Sequence, residues 1–259
     1  MRIVTGLSLI CLTVLLAGGG LVLVQRLRPA RRRLRHNDVA GFIYADAVLG
    51  VAYAVLLGLV VAAVWEEWNA AAQAADQEAG EVAEVFWLAH SIPEPEGRHL
   101  QQLARSYAQV VVNEEWPLME QGKTSPRAWA ILDEMRGSIQ GMKPTTEVQQ
   151  VLYEQGLRQM HDLADARAER LFDAEEGLPA ILWVVLIVGG IDVVGFTYLF
   201  GLESTSVHVL MVASLTLIIA LVLFTVAALD YPFKGDIRIG PEAFEQVLGR
   251  FESSKLGGP

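Results

Sequence analysis

The chain has 259 residues, of which 53% are hydrophobic and 19% are charged, and its formal net charge is −10. A soluble domain carries about 25% charged residues, so this composition indicates a membrane protein. The acidic balance argues against nucleic acid as a partner, because phosphate contacts require clustered Lys and Arg. Its single cysteine, Cys11, excludes an intrachain disulfide.

Four apolar blocks are long enough to cross a bilayer, whose hydrocarbon core of ~30 Å requires ~20 helical residues. They run from Ile3 to Val24, from about Val39 to Val64, from Leu178 to Phe200 and from Val207 to Leu229. The first block is predicted to be a retained helix, because no Ala-x-Ala-like cleavage site follows it. The link from Gly201 to Ser206 is so short that the last two blocks must form an antiparallel hairpin.

The region between the second and third blocks contains no spanning segment. Apolar or small residues recur there at steps of three and four from Ala72 to Ala89, so the second helix is predicted to continue to Ser91. A further helix is predicted to begin near His99 and to be closed by Pro117.

Two more helix starts are marked by capping residues in this region. Ser125 followed by Pro126 is typical of an N-cap with proline at the first helical position. Thr145 or Thr146 is predicted to cap a last helix, which continues toward the third apolar block. This region is therefore predicted to be a bundle of helices.

The predicted fold class is all-α: an integral membrane protein with four transmembrane helices and an extramembrane helical bundle between helices 2 and 3. Residues 1–64 hold the first two membrane helices and an Arg-rich loop, and residues 65–177 hold the acidic domain. Residues 178–229 form the membrane hairpin, and residues 230–259 form a tail with a short amphipathic helix. Such a helix is expected to lie on the membrane or against a neighbouring subunit.

The distribution of basic residues predicts the orientation in a bacterial plasma membrane. Residues 26–35 contain six arginines, whereas the middle region contains nine Lys and Arg against twenty-one Asp and Glu. Positive residues near membrane ends favour the cytoplasmic side. The Arg-rich loop is therefore predicted to be cytoplasmic, and the acidic domain and both termini are predicted to lie outside.

Ionisable residues within the apolar blocks are the main candidates for a functional site, because charge at membrane depth usually faces a partner or a wet cavity. Asp46 lies ~10 Å into the second block, and Asp192 lies ~12 Å from the far end of the third, at 1.5 Å per residue. His208 begins the fourth block in the same leaflet. These residues could bind an ion or relay a proton, or each could reach the interface or pair with the arginines of the first loop.

The face of the second block that carries Asp46 also carries Gly50, Tyr53 and Leu57. A polar entrance followed by an apolar constriction is what a pore-lining helix could present. An ordinary packed helix has the same pattern. The sequence shows no catalytic motif, no metal-ligand spacing and no cofactor motif, so an enzyme is not predicted.

Several short strings carry a resemblance to a known family. They are His36-Asn37-Asp38-Val39-Ala40-Gly41-Phe42, Trp65-Glu66, Glu115-Trp116-Pro117, Leu178-Pro179, Asp230-Tyr231-Pro232-Phe233-Lys234-Gly235 and Ile239-Gly240-Pro241-Glu242-Ala243-Phe244. Together they resemble a bacterial membrane family of unknown function labelled bestrophin-like. The label implies a relation to bestrophins, which are pentameric anion channels with four membrane helices and a large helical domain between helices 2 and 3. The resemblance also implies a cytoplasmic domain, which is the opposite of the orientation that the arginines predict.

Two functional hypotheses remain open at this point. The first is a homo-oligomeric ion channel in the lipid bilayer, a pentamer by resemblance, with helix 2 lining a central pore for an inorganic ion. The alternative is a non-conducting sensor or assembly factor, whose external helical domain binds a partner or ligand.

Overall fold

The computed structural model describes residues 3–27, 36–175, 177–199 and 204–256, and this part of the chain folds into α-helices and short connections. In chain order the helices are α1 Ile3–Leu27, α2 His36–His90, α3 Glu96–Val110, α4 Trp116–Met119, α5 Pro126–Gln140, α6 Glu147–Glu175, α7 Ala180–Thr197, α8 Thr205–Leu229 and α9 Glu242–Leu256. The predicted fold class is confirmed. The Arg-rich loop beyond Leu27 lies outside the described residues.

The chain divides into two compact units. The first contains residues 1–66 and 177–230, and the second contains residues 67–176 and 231–259. Four of the described helices are long and apolar enough to cross a bilayer, with spans within α1, α2, α7 and α8. In the first unit α8 packs against both α1 and α7.

The second unit is a helical bundle with an apolar core. The core draws on the outer part of α2 and on α3, α5, α6 and α9. Two of the predicted caps are confirmed: Ser125 Oγ accepts from the Ala128 N–H at 3.4 Å, and Thr146 Oγ1 accepts from the Gln149 N–H at 3.2 Å. These bonds satisfy amide groups that the first turn of a helix leaves without partners.

The prediction that Pro117 ends a helix is wrong. A π-helical turn, Val111–Glu115, follows α3 directly, and α4 follows that turn with Pro117 in its first turn. Proline is tolerated there because the amide groups at a helix start lack intrahelical partners in any case. The π-helical turn therefore joins α3 to α4 without a break at Trp116-Pro117, and its residue Glu115 is fully buried in the bundle.

The amphipathic tail helix also differs from its prediction. The apolar face of α9, formed by Phe244, Val247 and Phe251, is buried in the core of the second unit. Phe251 stacks on Phe86 of α2 with ring centroids 3.9 Å apart. The side chains expected to contact the membrane or a neighbouring subunit are thus part of the chain's own bundle.

Candidate functional site

One face of α2 within the first unit is buried against the same chain. Tyr53, Leu57, Val60 and Val64 follow each other at steps of four, three and four, and they form an apolar core with residues of α7 and α8. This is the face that the sequence offered as a pore lining. The structure gives Tyr53 and Leu57 the other role that the pattern allowed, which is packing between helices of one chain.

Tyr53 connects α2 to α7 through a hydrogen bond and through the packing of its ring. Its hydroxyl donates to the Leu186 carbonyl at 2.8 Å, and its ring lies over Gly189 and Gly190. A Cβ added at Gly189 would lie 2.8 Å from two ring carbons, and one at Gly190 would lie 2.9 Å from the hydroxyl oxygen. The two glycines therefore create the flat surface that accepts the ring.

The other candidate residues lie on three helices. Asp46 lies on α2, and its side chain lies outside the described residues. Gly50 is partly exposed and has open space around it, while Asp192 is exposed on α7. His208 is fully buried, with Nε2 2.8 Å from the Thr197 carbonyl oxygen. The polar grouping of these residues remains a prediction.

A cluster of buried charges occupies the second unit, and sequence reasoning missed it. We call it the charge cluster; it consists of Glu78 on α2, Tyr107 on α3, Glu115 in the π-helical turn, and Arg167 and Arg170 on α6. All five side chains are fully buried. Arg167 donates to both carboxylate oxygens of Glu115 at 2.7 Å, which is the bidentate geometry that a guanidinium favours.

Arg170 connects the two carboxylates of the charge cluster. Its Nε donates to Glu78 at 2.5 Å, and its Nη2 contacts Glu78 at 3.2 Å and Glu115 at 3.1 Å. Tyr107 closes the network, because its hydroxyl donates to Glu78 and accepts from Arg167 at 3.0 Å. Two positive and two negative side chains thus balance each other.

Aromatic rings enclose the two guanidinium groups. Arg167 lies over Trp129 at 4.6 Å, and Arg170 lies over Trp116 at 5.0 Å and over Phe244 of α9 at 6.0 Å from the ring centroids. The ring faces attract the cations and exclude water from them. The α9 helix therefore helps to seal the charge cluster.

The environment fixes the ionisation of the charge cluster. Burial alone would raise the pKa of Glu115, but hydrogen bonds from Arg167 and the charges of Arg170 and Arg167 outweigh it and lower that pKa. Burial, together with the charge of Glu78, raises the pKa of Tyr107 well above its usual value. Burial would lower the pKa of Arg170, but the Glu78 carboxylate raises it. Glu115 and Arg170 are therefore ionised, and Tyr107 is neutral, near pH 7.

The charge cluster could have been predicted from charged residues that interrupt the apolar stripes of two helices. Arg167 and Arg170 lie one turn apart on the face of α6 that also carries Leu163 and Leu171. Glu78 lies in the same way beside Ala79 in the stripe of α2. A charge at a core position of a helix requires a buried partner.

The turn that begins at Asp230 links the end of α8 to the start of α7. Asp230 is buried, and its Oδ1 accepts from the Leu178 N–H at 2.7 Å. The two residues joined by this bond lie 52 positions apart in the chain. Three residues later, Phe233 is buried in the bundle core edge-on to Trp116, with ring centroids 5.8 Å apart.

The sequence shows the family to which the chain belongs. The family model described as "Bestrophin-like domain" matches residues 11–244. The chain belongs to the bestrophin-like family. No curated protein matches this bestrophin-like chain in sequence.

Solved structures share the fold of the bestrophin-like chain. One is a variant described only as a membrane protein, at 15% identity and a TM-score of 0.72, with 98% of this chain and 99% of that chain covered. Another is a variant of a bacterial bestrophin homologue from Klebsiella pneumoniae, at 15% identity and a TM-score of 0.69, with both chains covered completely at 100%. A second variant of that homologue gives 13% identity and a TM-score of 0.70, covering 96% of this chain and 98% of the other.

Proposed function

We propose that this protein is a homo-oligomeric ion channel of the bacterial plasma membrane, in which α2 lines a central pore. The family match over residues 11–244 carries the proposal, supported by a fold shared along the full chain with a bestrophin homologue. Bestrophins are pentameric, so a ring of five subunits is the expected assembly. The acidic balance of the chain favours a cation as the permeating ion.

The contacts that α2 makes within its own chain limit which of its residues could face a pore between subunits. Tyr53 and Leu57 are buried against the same chain, so we do not propose that they line a pore between chains. Gly50 lies on the same helical face about one turn earlier, where it is partly exposed and has open space around it, so this earlier part of α2 is proposed to face the pore. Asp46 is the proposed polar group at the entrance, and Asp192 and His208 are proposed to act in the same leaflet.

Replacing Asp46 with asparagine is expected to reduce cation flux about tenfold, because a carboxylate at a narrow entrance concentrates cations and raises their rate of entry by ~10-fold or more. The measurement is ion flux into proteoliposomes, made after the subunit number has been counted by native mass. Glu147→Gln, which removes one carboxylate that is exposed on the bundle, is the matched control. Unchanged flux and selectivity in Asp46→Asn would exclude this residue from the pore.

The proposed orientation puts the acidic domain on the outer side of the membrane. In a Cys11→Ser background, a single cysteine at the exposed position Gln150 is expected to react with a membrane-impermeant thiol reagent applied to intact cells. A reporter cysteine in the Arg-rich loop should react only after the cells are opened. The reverse pattern would place the domain in the cytoplasm, as in the arrangement that the bestrophin resemblance implies.

The alternative of a non-conducting sensor has less support than the channel. The apolar face of the tail, which could have bound a partner, is buried in the chain's own bundle. Absence of flux from a correctly assembled ring would favour the sensor.

A further inference from the structure

Three covalent connections join the two units of the chain. The first is within α2, between residues 66 and 67; the second follows α6, between residues 176 and 177; and the third follows α8, between residues 230 and 231. Each connection is a covalent route along which movement can pass between the units.

Each connection leads, on the side of the bundle, to the charge cluster. Along α2 the cluster residue is Glu78, about 16 Å beyond the connection at 1.5 Å per residue. Along α6 the cluster residue nearest to the connection is Arg170, about 9 Å before it. After the third connection Phe233 contacts Trp116, whose ring lies beside Arg170. All three paths thus lead to the charge cluster or to a ring that encloses it.

The energetics of buried ion pairs indicate that the charge cluster has a role beyond stability. Removing charges from water costs several kcal/mol per ion, and well-packed apolar residues often stabilise a core equally well. A guanidinium that must reach two carboxylates, however, tolerates few relative positions of the elements that carry them. Arg170 contacts Glu78 and Glu115 at once, so it fixes α6 against both α2 and the π-helical turn.

We propose that the charge cluster is a coupling element, which sets the position of α2 relative to α6 and thereby controls ion flow. The proposal rests on the channel function proposed above. The residues act by positioning α2, and none of them is assigned a contact with the permeating ion. It follows that an apolar replacement of the network can leave the bundle folded while changing the position of α2.

The test uses the full-length protein with Glu78→Leu, Tyr107→Phe and Arg170→Met combined, which keeps the bidentate pair of Arg167 and Glu115. In a Cys11→Ser background, spin labels at Gln77 and Glu169, both exposed, report the distance between α2 and α6. Dilution with unlabelled protein isolates the distance within one chain. Glu94→Gln with Arg98→Met, which removes an exposed ion pair, is the control.

The expected result is a folded triple variant with a shifted or broadened label distance and a flux that differs at least about threefold from wild type. An unchanged distance and flux would overturn the proposal. Loss of folding would also overturn it, because the charge pairing would then serve stability. Arg170→Lys keeps the positive charge but loses the forked donor groups of the guanidinium. It is expected to shift the label distance in the same direction as the triple variant while the protein stays folded. If the wild-type protein conducts no ions, the channel function fails, while the label distance still tests the coupling between the helices.

Discussion

Replacing Glu115 with alanine is expected to lower the free energy of unfolding by about 3–5 kcal/mol, because it leaves Arg167 buried without its bidentate partner. For a chain of this size the loss corresponds to a fall in melting temperature of about 6–20 °C. The measurement is thermal unfolding of the detergent-purified protein. Glu120→Ala is the matched control, since the pair of Glu120 with Arg238 is about 40% exposed on both sides, and exposed pairs contribute about 0–1 kcal/mol.

The lowered pKa of Glu115 also fixes the pH range of its contribution. The contribution is complete above the pKa of an unfolded glutamate, about 4.3, and is lost as the pH falls through the lower folded value. We therefore expect the melting temperatures of wild type and Glu115→Ala to differ by a constant amount between pH 5 and 8 and to converge in stronger acid. A difference that shrinks between pH 6 and 8 would contradict this assignment.

Replacing Gly189 with alanine is expected to destabilise the membrane unit, because the new Cβ would lie 2.8 Å from the Tyr53 ring. Overpacking of this kind costs about 1–3 kcal/mol, and a rigid ring cannot move away from it as a flexible chain end could. The expected result is a lower melting temperature, together with reduced flux, since α2 is displaced from α7. Thermal unfolding and proteoliposome flux measure the two effects.

Gly195 provides the control for this substitution, because it lies on the same helix and nothing lies within 4 Å of its added Cβ. Gly195→Ala is expected to be neutral or to stabilise by about 0.5–1 kcal/mol, since alanine favours a helix. Adding Tyr53→Leu to Gly189→Ala should recover part of the loss. If Gly189→Ala and Gly195→Ala unfold at the same temperature, Tyr53 does not pack on α7 as described.

The elements that the sequence predicted well are those that depend on local signals. Hydropathy marked the membrane spans, because the bilayer requires long uninterrupted apolar helices. Ser125 marked the start of α5, because a cap acts within one turn of its own position. The continuation of α2 to His90 followed from an unbroken stripe with no proline before Pro93.

The features that the sequence did not predict depend on distant partners. Glu78 and Arg170 are 92 residues apart, and nothing near either residue identifies the other. The passage of the chain through Pro117 depends on the π-helical turn before it, and a helical pattern with a period of 3.6 does not describe that turn. The stripe of α2 could not distinguish packing from pore lining, because both use the same pattern of residues, and the residues that pack against Tyr53 and Leu57 lie far away in the chain on α7 and α8.

The discontinuous second unit has a consequence for the order in which the protein is made. Residues 231–259 complete a core that residues 67–176 begin, and both membrane helices of the hairpin are synthesised between these two parts. Domains generally fold as units while the chain emerges from the ribosome. Here Phe86 cannot stack on Phe251 until α7 and α8 have been translated. The same holds for the contact of Trp116 with Phe244. The bundle is therefore completed late, after the last membrane span has been synthesised.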